Sequence, residues 1–356
     1  MRRFSFLLIF ALIFGGAAAS AGAAEIIKPK IIIVTTFEVG ADSGDKPGEL
    51  QYWVEHEKLT QEIPFAGGPH ALLTNADRSI LAITTGMSLI NAGPSIMALG
   101  SDPRFDLSQT YWIVAGIAGL DPNLGAIGSA AWAKYVVSDI AQSMDMREAP
   151  KDWPYGVYML GADRPNERPK NGDDVGPNGP YPLAYSLNGA LADWALAQSR
   201  AVKLDYTPEM KSFAKRWVSY PATQKGPTIF IGDSFASNHY WHGEYMNQYA
   251  RDWVPLLTGG KGKFAMSNME DSAIAGALYR LNAMGRADWN RFMVLRTASN
   301  YTMPAPKQET KHSLTASYPG EGRPAYEAAY RVASKVAHAI INGWGDYEKQ
   351  VPGEAK

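Results

Sequence analysis

The 356-residue chain contains no cysteine, which excludes disulfides, thiolate metal sites and cysteine nucleophiles together. It lacks an excess of basic charge. With 34 Lys and Arg against 35 Asp and Glu, there is no broad electrostatic footprint for a nucleic-acid polymer or an anionic lipid surface. Internal repeats and coiled-coil heptads are also missing. Beyond its first residues the chain has no uninterrupted apolar run long enough to cross a bilayer, and its strands read as short buried runs rather than barrel segments. An integral membrane segment is therefore not expected in the mature chain.

The N terminus reads as an export signal. Arg2 and Arg3 precede an apolar run from Phe4 to Phe14, and the small residues Gly15 to Ala24 include Ala-x-Ala patterns ending at Ala21 and Ala23. That apolar run is shorter than the roughly 20 residues a spanning helix needs. Residues 1–24 are expected to be a signal peptide, leaving an exported, periplasmic or secreted protein that starts near Glu25 as a single domain over 25–356. Loss of Arg2 and Arg3 takes the formal charge from −1 to −3.

Ile31-Ile32-Ile33-Val34 is a continuous β-branched run, as in a strand covered on both faces. Residues 80–84 and 111–115 repeat the pattern, each running into glycine. Between them residues 91–99 suit a helix. Strand, helix, strand is the βαβ unit of a mostly parallel sheet. Further along, 183–199 reads as a helix with Leu187, Leu191, Trp194 and Leu196 as its apolar stripe. Residues 228–231 read as a buried strand and 325–341 as a terminal amphipathic helix. The stretch 150–181, rich in Pro, Gly, Asn and Asp, reads as a surface excursion that could cover a site.

The most informative stretch is Met269-Glu270-Asp271-Ser272-Ala273, opening an alanine-rich helix, followed by Phe292-Met293-Val294-Leu295-Arg296-Thr297-Ala298-Ser299-Asn300. A carboxylate in a first helical turn is stabilised by unpaired N–H groups and the macrodipole, and can accept two hydrogen bonds from a diol. Arg296 and Asn300 stand at the C-terminal end of a buried strand, where open α/β sheets bind ligands. With Gly86-Met87-Ser88-Leu89-Ile90-Asn91-Ala92-Gly93, Ala115-Gly116-Ile117-Ala118-Gly119-Leu120 and Ile231-Gly232-Asp233-Ser234-Phe235, in this order and spacing, the chain resembles the nucleoside phosphorylase/nucleosidase superfamily. It resembles more closely the secreted purine nucleoside permease family.

That resemblance implies a three-layer α/β/α fold with a mixed, mostly parallel central sheet. It implies that Met269 and Glu270 bind ribose, that Asn300 binds the purine edge, and that Phe235 stacks on the base. Ala118 and Gly119 match small residues approached by base and sugar. Each residue also has a plainer reading: Glu270 as a favourable helix-start carboxylate, Asn300 as a cap, Phe235 as core, Gly119 as a tight turn.

The nucleophile decides the reaction class. Phosphorylases of this fold place an arginine and a serine where Val114 and Ile117 stand here, so a phosphate site of that design is missing. Nucleosidases instead activate water with a glutamate after the first strand. Glu49, in Glu49-Leu50-Gln51-Tyr52-Trp53, is the preferred counterpart; Glu38 either supports it or is itself the base. Arg296 resembles the arginine that partners this glutamate. His239 and His242 have a spacing that could place both on one helical face, with His239 near the sugar 5′ hydroxyl, although two histidines without a third ligand do not make a metal site.

The expectation is a purine nucleoside N-ribosyl hydrolase with no cofactor and no metal. A non-catalytic nucleoside-binding or uptake protein is the alternative, and phosphorolysis through a rebuilt phosphate site is third. A purine nucleoside is the expected partner, and the resemblance allows for a homo-oligomer in which a neighbouring chain completes the pocket.

Overall fold

The structure is a computed structural model that describes residues 25–169, 176–179 and 182–354; the expected signal peptide lies outside the described residues. Its sheet is built around the strand Ile31–Thr35, buried at every position and paired in parallel with Ile80–Thr84 on one side and Tyr111–Leu120 on the other. Successive side chains point to opposite faces. Ile31, Ile33, Tyr111, Ile113, Met293 and Leu295 pack with Trp53, Leu191, Ala195, Val332 and Val336 from the helices Gln51–Glu57, Gly189–Ser199 and Arg323–Asn342. Ile32, Val34, Trp112, Val114 and Val294 pack with Ile96, Leu99, Ile274, Leu278 and Leu281 from the helices Leu89–Ser101 and Asp271–Ala283. Helices on both faces make the three-layer α/β/α arrangement. Each fully buried Leu or Ile contributes roughly 1.5–3 kcal/mol.

The central strand departs from expectation in a way that makes the site. Residues 111–115 were expected to end at a glycine turn, but the strand continues to Leu120. Along one edge it pairs with Phe292–Tyr301, from Trp112 to Leu120, and that ladder holds Gly116 and Gly119 extended. Along the other edge it pairs with the first strand only as far as Val114 and with Phe264–Asn268, antiparallel, only from Gly119. In between, the second edge is open.

Three other readings are corrected. Residues 184–186 form a strand antiparallel to Tyr135–Ser138, and the helix begins at Gly189, capped by the Asn188 side chain. Leu187 therefore lies outside the helix. The strand Ile229–Ile231 is half-buried and parallel to the short strand Ala130–Trp132. Part of the proline-rich excursion is anchored: Val157–Tyr158 pairs with Gln142–Ser143, and buried Tyr155 and Met159 pack with Tyr249 and Trp253 of the helix Glu244–Thr258.

Candidate functional site

The gap in the central strand's edge leaves the peptide groups of Ile117 without a strand partner, and buried backbone groups must be paired somehow. Side chains do it here. The Ile117 N–H donates to Glu49 Oε1 at 2.7 Å, and its carbonyl accepts from Arg296 Nη1 at 2.9 Å. The other Glu49 oxygen accepts from the Thr36 N–H at 2.7 Å and the Thr36 hydroxyl at 2.9 Å, just past the end of the first strand. A Cβ on Gly116 would lie 2.5 Å from Arg296 Nη1 and 2.7 Å from Glu49 Oε1, so this position must be glycine for both groups to meet here.

Arg296 is the hub. Its Nη2 reaches Asp271 Oδ1 at 2.7 Å and Glu270 Oε2 at 3.0 Å, while Nη1 stands 3.8 Å from Glu49 Oε1. All four groups are buried. Three carboxylates share one guanidinium, so full ionisation would leave uncompensated negative charge in a poorly hydrated place. Burial is the main cause that pushes the Glu49 carboxyl up to about 7; Glu270 adds to it, and Arg296 and the two backbone donors oppose it.

Glu270 directly precedes the helix Asp271–Ala283, and its Oε1 accepts from the Ser88 N–H at 3.1 Å. Asn268 Oδ1 accepts from the N–H groups of Glu270 and Asp271, and Asn268 Nδ2 donates to Ser234 Oγ, which donates to Asp271 Oδ2 at 2.6 Å. The helix start and Arg296 are thereby fixed to one another.

Next to Glu270 lies a narrow cleft of about 20 Å³ lined by Gly119, His239, Tyr240, Trp241, Met269, Asn300 and neighbouring residues. Asn300 follows a bulge after Ala298, and its Nδ2 donates to Tyr240 Oη and to the Tyr301 carbonyl, both at 3.0 Å. The amide is held from both sides, and the cleft offers aromatic surface and polar edges together.

Comparison with known proteins bears on this arrangement. Residues 28–352 match the family model described as purine nucleoside permease. The chain belongs to the purine nucleoside permease family. A purine nucleoside permease of Candida albicans is 28% identical over 90% of this chain and 76% of its own length. A probable purine nucleoside permease of Schizosaccharomyces pombe is 27% identical over 91% of this chain and 92% of its own length. Among solved structures, a 5′-methylthioadenosine/S-adenosylhomocysteine nucleosidase from S. pneumoniae superposes with a TM-score of 0.50 at 15% identity, covering 87% of this chain and 96% of that one. The corresponding enzyme from Helicobacter pylori also gives 0.50, at 12% identity over 89% and 99%. These two share its fold.

In this member of the purine nucleoside permease family no helix among the described residues is long and apolar enough to cross a membrane. The structure brings Glu49, Arg296 and Glu270 together, and it puts Met269, Gly119, Asn300 and His239 on the adjoining cleft. Other expected site residues lie elsewhere. Glu38 accepts from the N–H groups of Val39, Gly48, Leu50 and Gln51, clamping the loop that delivers Glu49. Phe235 has no exposed surface; its ring meets Trp241, Tyr249 and Phe264 edge-on inside an aromatic cluster, so Tyr240 and Trp241 present the rings on the cleft instead. Ala118 is buried with Tyr301 and Trp217.

His239 and His242 share no helical face, because residues 237–243 form a loop. His242 Nε2 pairs with Ser313 Oγ at 2.8 Å, and burial pushes its imidazole down to about 4. Among the described residues no three side chains are grouped to hold a metal ion. Asp271 received no role from the sequence, although it stands beside Glu270 in the quoted motif. Its signal was a second acidic residue at a helix start that opens on a buried face.

Proposed function

We propose that this protein binds a purine nucleoside in the Asn300–Tyr240 cleft and hydrolyses its N-glycosidic bond, acting as an exported nucleosidase. Glu270, beside the cleft and held by Ser88 and Arg296, would take the ribose diol, with Met269 against the sugar face. Asn300 would bind the purine edge.

Glu49 is the observation that carries the reading. A buried carboxyl with its affinity for a proton raised to about 7, fixed by four partners beside the ribose-binding candidate, is suited to take a proton from water near neutrality. As water attacks the anomeric carbon and the bond to the purine breaks, the ring gains positive character that ionised Glu270 stabilises. Val114 and Ile117 of the central strand stand at the positions where the resemblance would put phosphate donors, and neither can supply one, which disfavours phosphorolysis.

A second reading, binding for uptake without cleavage, is favoured by the Asn300 amide, which cannot release a proton to a leaving base. The test is to incubate the purified protein with inosine, guanosine and adenosine, with and without phosphate, following base, ribose and ribose 1-phosphate. Free ribose without phosphate supports hydrolysis. Ribose 1-phosphate overturns it in favour of phosphorolysis, and saturable binding without either product leaves the uptake reading.

A further inference from the structure

The cleft that holds Asn300 is also lined by His239, a side chain able to carry the proton that an amide cannot supply. We propose that His239 is the general acid that protonates a ring nitrogen of the departing purine, with the charge of the nearby Asp139 supporting it. This rests on the hydrolase reading.

His239 lines the same cleft as Asn300 and Tyr240, in the loop that follows the strand Asp233–Ala236. The loop is pinned: the His239 N–H donates to Ser237 Oγ at 3.0 Å, and Ser237 is fully buried. Asp139 arrives from the neighbouring strand's end, its N–H donating to the Ala236 carbonyl at 3.1 Å. Its carboxyl is raised by burial, against a hydrogen bond from Ser237 and the attraction of the His239 imidazole. A negative charge this close to the loop favours the charged form of the imidazole.

The chemistry balances. The C–N bond breaks with its electron pair going to the purine, His239 passes its proton to the purine, and the attacking water loses its proton to Glu49. Solvent returns a proton to His239 and removes one from Glu49. Nucleoside and water become ribose and free base.

The experiment compares guanosine with 7-methylguanosine, whose base already carries the positive charge and leaves without being protonated. His239→Gln should lower guanosine turnover by about 10²–10⁴-fold, the usual weight of a general acid, while changing 7-methylguanosine turnover by less than about 5-fold. Asp139→Asn should move the same ratio in the same direction by a smaller factor, which keeps the idea testable if the first variant folds poorly. Equal losses on both substrates, or unchanged guanosine turnover in both variants, overturn the assignment alone. Wild-type protein that releases base from neither nucleoside overturns the hydrolase reading and this inference with it.

Discussion

The Arg296 guanidinium sits 2.7 Å from Asp271 and 3.8 Å from Glu49. Geometry therefore assigns the cation's strongest attraction to a residue outside the proposed chemistry and leaves Glu49 only partly neutralised.

Removing that competitor should release the cation. In Asp271→Asn, Arg296 is free to close on Glu49, and one nearby negative charge is gone; both effects favour the ionised carboxylate. The other charged or titratable groups around Glu49 are Glu270, Glu38 and Tyr326. Infrared titration of the carboxyl band, referenced to Glu49→Gln, should show its midpoint moving down from about 7 towards the ordinary 4.5. An unmoved midpoint in a folded variant counts against the competition.

Glu49→Gln should reduce ribose release by at least about 10²-fold, the contribution of a positioned base. Wild-type turnover should rise with pH through about 7, as Glu49 loses its proton. Stability has the opposite sign. A carboxyl that holds its proton more tightly when folded adds stability that is complete below the unfolded value near 4.5 and is lost as pH rises through about 7. Denaturant unfolding at pH 5 and pH 8 should show roughly 1–3 kcal/mol of this pH dependence disappearing in Glu49→Gln.

Gly116→Ala tests the packing of the central strand. Its added methyl would lie 2.5 Å from Arg296 Nη1 and 2.7 Å from Glu49 Oε1, both anchored atoms. Overpacking of this kind costs ~1–3 kcal/mol, so thermal unfolding should occur several degrees lower and ribose release should fall together with it. A variant with wild-type melting and activity would show that the two side chains can move apart.

Glu38 offers the contrast with Glu49. Its carboxylate accepts four backbone N–H groups around the start of the helix Gln51–Glu57. Glu38→Ala leaves them unpaired or in water, at about 1–3 kcal/mol, and should loosen the loop 38–50 to proteolysis. Turnover at saturating substrate should fall far less than in Glu49→Gln. An equal loss would make Glu38 part of the chemistry.

Much of the fold was legible because its signals are local. The buried runs at Ile31 and Ile80 and the terminal helix emerged where periodicity put them. Residues 184–186 misled because a strand and a helix with similar apolar content abut without a break until Asn188 caps the helix. Phe235 misled because a ring beside a glycine-rich motif can face either way from a strand, and alternation turns this one into the aromatic cluster.

By itself the sequence determined the layered α/β class, the family and the identity of the acidic and amide groups at the strand ends. These follow from hydrophobic period and from short motifs in fixed order. Only the tertiary structure separated Glu49 from Glu38, enlisted Asp271 and put His239 on one cleft with Asn300. Those outcomes depend on where two strands stop pairing with the central one, and on which side chains then reach the unpaired Ile117 peptide groups. Such meetings join residues far apart in the chain, and burial raises the Glu49 carboxyl only once they have been made.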